Sequence, residues 1–141
     1  QANAYLNTRV LTASRAELRL MLLDGAARFL RQGIDGLNAK DYERSFNGVS
    51  QCRAIVMELL TSVRPEQAPD LVERIQSLYS FMYSELVEAS FSRDVPRLER
   101  VLGLIEFERE TWTMAMDKAR TERAATGRAA DPDRAAIAVQ G

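Results

Sequence analysis

The chain has 141 residues, 46% apolar and 28% charged, with 19 Lys plus Arg against 20 Asp plus Glu, which suits one soluble globular domain and excludes a membrane span or a polyanion-binding face. It has no histidine and a single cysteine, Cys52, which excludes imidazole catalysis, a Glu-x-x-His di-iron centre, a cysteine zinc site and an internal disulfide. Only scattered carboxylates remain, so neither an enzyme nor a cofactor is expected. The chain opens on Gln1, with no basic leader followed by an apolar core, and a cytosolic location is expected.

Ser14 and Glu17 are spaced as a capping box, which predicts a first helix from about Arg15 to about Leu37. On a wheel at about 100° per residue its charged stripe is narrow. Leu18, Met21, Leu22, Ala26, Phe29 and Leu30 form one apolar face, and Leu20, Leu23, Ala27 and Ile34 extend it round the other side. A surface helix needs only one such stripe. This helix is therefore either the central element of the fold or one that presents a second face to a partner.

Asp41 predicts the cap of a second helix, from about Tyr42 to Val63, ended by Pro65 and Pro69. Its expected core face is Tyr42, Phe46, Val49, Cys52, Ile55, Val56, Leu59, Leu60 and Val63, with Arg53 snorkelling from inside that arc. The third helix is expected from about Asp70 to Ser90. It packs Leu71, Ile75, Leu78, Tyr79, Met82, Leu86 and Ala89, with the Tyr79 and Tyr83 hydroxyls kept wet. Asp94 caps a fourth helix with Pro96 in its first turn, and apolar spacing persists to about Ala119. There Leu98, Val101, Leu102, Ile105, Trp112 and Met116 point inward. Phe107 and Met114, seven residues apart, project from the opposite side, as half of a groove for a partner helix or as a contact with the C-terminal tail or a second protomer.

The pattern is all-α: an antiparallel four-helix bundle over residues 1–119 and a low-complexity, mobile tail over 120–141, too poor in large side chains to offset chain entropy. Before the capping box, Tyr5, Leu6 and Val10 carry more apolar surface than a free arm leaves in water. They are expected to lie as an N-terminal strap over an apolar groove. Glu106, Glu108 and Glu110, two residues apart, point about 200° from one to the next and cannot converge on a metal ion.

The order of residues resembles the FliS family of flagellin-specific export chaperones. The resemblance rests on Asn3-Ala4-Tyr5, Val10-Leu11-Thr12-Ala13-Ser14 and Glu17-Leu18-x-Leu20-Met21-Leu22-x-Asp24-Gly25-Ala26, then on Leu78-Tyr79-x-x-Met82 with Leu86 and Glu88-Ala89. It ends with Leu98, Val101 and Arg109-Glu110-Thr111-Trp112-x-x-Ala115. It spans about Asn3 to Ala119 and departs at Arg15, where the family often has Pro, and at Leu23, where Tyr is common. It implies a cytosolic chaperone that binds the C-terminal segment of flagellin, prevents early polymerisation and presents the client to the flagellar export apparatus. Nucleic acid and membrane insertion are not expected, and the chain is expected to be a monomer or a weak homodimer. The partner-binding residues expected are Tyr5, Leu6, Val10, Leu20, Leu23, Ile34, Phe107 and Met114. The alternative is a helical adaptor that self-associates through Leu20, Leu23, Phe107 and Met114.

Overall fold

The helix starts follow from side-chain caps. In the computed structural model, which describes residues 14–64 and 68–127, the Glu17 N–H donates to Ser14 Oγ at 3.2 Å, and the Ser14 hydroxyl donates to the Glu17 carboxylate at 3.2 Å. These bonds open α1, Arg15–Asn38. Asp41 Oδ1 accepts from the Arg44 N–H at 3.1 Å and opens α2, Tyr42–Thr61. Helix α3, Pro69–Ser92, starts on a proline, whose missing N–H costs nothing at a first helical position. Asp94 Oδ1 accepts from the Arg97 N–H at 3.0 Å and opens α4, Val95–Thr126. The described residues contain no strand. The fold is the all-α four-helix bundle expected; the strap and most of the tail lie outside the described residues.

Helix α4 runs to Thr126, beyond the expected end near Ala119. Ala119 is the last buried residue, and residues 120–127 are all exposed. Apolar periodicity marks where burial stops, while the helix itself continues on Arg, Glu and Ala, which are good helix formers.

The chain divides into two compact units. Leu22–Glu110 contains parts of all four helices. Its core is Leu23, Ala26, Ala27, Leu30 and Ile34 on α1, Val49, Cys52, Val56 and Leu59 on α2, Leu71, Ile75, Tyr79, Met82, Leu86 and Ala89 on α3, and Leu98, Val101 and Ile105 on α4. Most of these positions recur every three or four residues, the spacing of one inward-facing helix stripe. The α1–α2 contact is made backbone to backbone. A Cβ on Gly48 would stand 2.5 Å from Gly33 N and 2.6 Å from Phe29 O, and one on Gly36 would stand 2.6 Å from Ser45 N.

That contact corrects two assignments on α2. With Ser45, Gly48 and Cys52 turned inward, Tyr42 and Phe46 rotate out, 43% and 62% exposed. In the other unit, which takes in α1 up to Met21 and α4 from Thr111, Trp112 is buried as expected. The buried Arg19 places its guanidinium 4.5 Å from the Trp112 ring centroid, a desolvated cation–π contact.

Candidate functional site

The large apolar side chains of α1 are buried or half-buried. Its buried line runs through Leu23, Ala26, Leu30 and Ile34, midway between the two faces expected from the wheel. Leu22 and Phe29 fall on its shoulder and are half-buried. They lie on either side of Gly25, whose position approaches Ile55 Cδ1 of α2 to 3.4 Å from an added Cβ. Ile55 is half-buried too. Next to them a broad, shallow groove opens between α1 and α2, with Phe29 and Gln32 on one wall and Arg44, Asn47, Gly48 and Gln51 on the other. Phe29 is its one large apolar side chain; Asp41, Glu43, Arg44 and the amides of Gln32, Asn47 and Gln51 make the rest of its lining polar.

The structure separates the residues expected to bind a partner. Leu23 is wholly buried and Ile34 is 8% exposed; both are core side chains, because α1 is contacted on two sides and its central line faces inward. Leu20 is half-buried. Phe107 and Met114 stand 62% and 50% exposed. Tyr5, Leu6 and Val10 lie outside the described residues. Leu22 and Phe29, which sequence periodicity assigned to the core, are half-buried instead, and Phe29 lines the groove.

The three glutamates of α4 take separate roles. Glu106 pairs with Arg31 at 3.4 Å on the surface, and Glu110 is exposed. Glu108 is completely buried. Arg74 of α3 donates to its two oxygens at 3.2 and 3.4 Å, and the Tyr79 hydroxyl donates to Oε1 at 3.0 Å. The Tyr79 hydroxyl is thus buried on a partner rather than wet. One signal in the sequence marks Glu108: it continues the three-four spacing of Leu98, Val101 and Ile105 towards Trp112, so it lies on the seam. Among the described residues no three Cys, Asp or Glu side chains gather as a metal site requires, and no helix is long and apolar enough to cross a membrane.

Comparison with known proteins agrees with the helical pattern and the motifs. A family model described as flagellar protein FliS matches residues 1–119. The flagellar secretion chaperone FliS of Bacillus subtilis (strain 168) is 29% identical over 124 residues, 88% of this chain and 92% of the relative. The protein of the same name from Escherichia coli (strain K12) is 30% identical over 114 residues, 79% of this chain and 82% of the relative. With the match running through all four helices to the last buried residue of α4, the chain belongs to the FliS family.

Proposed function

We propose that this chain is a flagellar secretion chaperone that holds the C-terminal segment of flagellin in the cytoplasm, keeps it from polymerising early and delivers it to the flagellar export apparatus. The observation that carries the reading is the Leu22–Phe29 shoulder of α1. These two large apolar side chains are half-buried, and Phe29 lines the open groove between α1 and α2. A filament subunit with an amphipathic terminal segment must cover that segment's apolar face before assembly, and the groove supplies a matching surface by helix-in-groove packing. Capture needs no catalytic step. A client that orders on binding spends part of the contact energy on that ordering, which favours an extended contact over a compact pocket. In this reading Tyr5, Leu6 and Val10 take part in capture from the segment before α1.

Calorimetric titration of the full chain with a flagellin C-terminal peptide tests this. A one-to-one complex is expected. Leu22→Ala and Phe29→Ala weaken it by about tenfold or more, as loss of one buried large side chain implies, with little change in melting temperature. Leu23→Ala does the reverse. No binding by the unmodified chain overturns the flagellin reading, and binding indifferent to Leu22 and Phe29 overturns the placement in this groove.

A further inference from the structure

Tyr42 and Phe46 continue the buried line of α2 in sequence, yet they stand 43% and 62% exposed. They wall a cavity of about 240 Å³ whose other sides include Leu37, Val49, Ala89 and Leu98. That is below the roughly 300–1,000 Å³ of small-molecule pockets and suits one bulky side chain. At the rim, the Arg93 guanidinium lies 3.8 Å from the Tyr42 ring centroid. None of the ion pairs found among the described residues uses Arg93. Its backbone caps α3 at φ 52, ψ 47, the left-handed conformation that glycine adopts freely and an L side chain adopts under strain. A cation is therefore held at a position whose backbone favours glycine, next to a cavity lined by Leu37, Phe46, Val49 and Leu98 with Ser45 and Ser90 among them.

We propose that this cavity docks a segment of a partner protein in which a bulky aliphatic or aromatic residue is followed directly by Asp or Glu. The apolar side chain fills the cavity and the carboxylate accepts hydrogen bonds from Arg93. Stacking by its face on Tyr42 leaves the guanidinium its edge N–H groups, the planar fork that matches a carboxylate. Charge complementarity selects the acidic neighbour; an amide in its place loses the charge-assisted bonds. The site shares no lining residue with the α1–α2 groove and does not depend on flagellin as client.

The test is a titration of the ¹⁵N-labelled full chain, followed by NMR, with the blocked tetrapeptide acetyl-Ala-Leu-Glu-Ala-amide and with controls in which Leu is replaced by Ser or Glu by Gln. Saturable shifts at the amides of Tyr42, Phe46, Ala89 and Arg93 are expected, with either control binding about tenfold more weakly, the change that loss of one buried apolar side chain (Ser control) or of one charged hydrogen bond (Gln control) implies. Arg93→Gly suits its backbone conformation, so it should melt no lower than the unmodified chain and bind the Leu-Glu peptide about tenfold more weakly. No saturable shifts at those amides overturns the proposal, as does equal binding by the Gln control or by Arg93→Gly. A clear fall in melting temperature for Arg93→Gly assigns the guanidinium to holding the α3–α4 turn and overturns it as well. A dimer in sedimentation that Phe46→Asp abolishes makes a second copy the occupant, which also overturns it.

Discussion

The Tyr79 hydroxyl donates a hydrogen bond to Glu108 Oε1 at 3.0 Å in a place where neither side chain reaches water. With Arg74 gripping both oxygens of the same carboxylate, Glu108 has partners that replace its lost hydration, and the network admits only the α3–α4 register that brings all three together. Glu108→Ala leaves Arg74 and Tyr79 without their acceptor and should cost about 3–5 kcal/mol in urea denaturation, as breaking a buried pair does. Tyr79→Phe removes one of the three bonds and should cost about 1–2 kcal/mol. If Glu108→Ala changed stability by less than Tyr79→Phe, the carboxylate would not be the centre of the network.

Two glycines in helices should respond oppositely to one methyl group. At Gly103 of α4 nothing lies within 4 Å of an added Cβ, so Gly103→Ala should raise stability by about 0.5–1 kcal/mol, the ordinary gain in a helix. At Gly48 the same change drives a Cβ against the α1 backbone. It should lower stability by roughly 1–3 kcal/mol as α1 and α2 are forced apart. Thermal melts of the two variants beside the unmodified chain decide the matter, and a gain in stability for Gly48→Ala would mean that α1 and α2 do not meet backbone to backbone.

Burial pushes the Cys52 thiol up from 9.0 to about 12, so the native protein should resist alkylation at pH 8 and react only when unfolded. The unfolded chain ionises this thiol near its ordinary value while the folded chain keeps the proton. Between about pH 9 and pH 12 the unfolded state therefore binds fewer protons, and stability falls as pH rises, by up to about 1.4 kcal/mol per pH unit. Below about pH 9 the thiol adds no slope. Cys52→Ala should remove this component, measurable as a shallower alkaline decline in urea midpoints.

Deleting the residues after Arg120 should leave the melting temperature within about 3 °C of the full chain, because the described part of α4 beyond Ala119 buries no side chain. A larger fall would place part of the fold's stability in residues 120–141.

Most of the helix plan was legible in the sequence. Ser14, Asp41 and Asp94 accept backbone N–H groups in the structure as their spacing predicts, since a cap is settled by residues within one turn. The seam of α3, from Leu71 to Ala89, was equally legible, because a single apolar stripe leaves one choice of inward face. Tertiary contact decided the rest. On α1, apolar side chains run so far round the helix that periodicity could not say which line faces in; the neighbours buried Leu23 and Ile34 and left Leu22 and Phe29 on the shoulder. On α2, the close approach of Gly48 to Gly33 set the rotation that turned Tyr42 and Phe46 outward. Burial of Glu108 depended on Arg74 and Tyr79, some 30 residues away. A wheel reports which residues share a face. Which face a neighbour covers, and how closely it can approach, depends on side chains that lie on another helix.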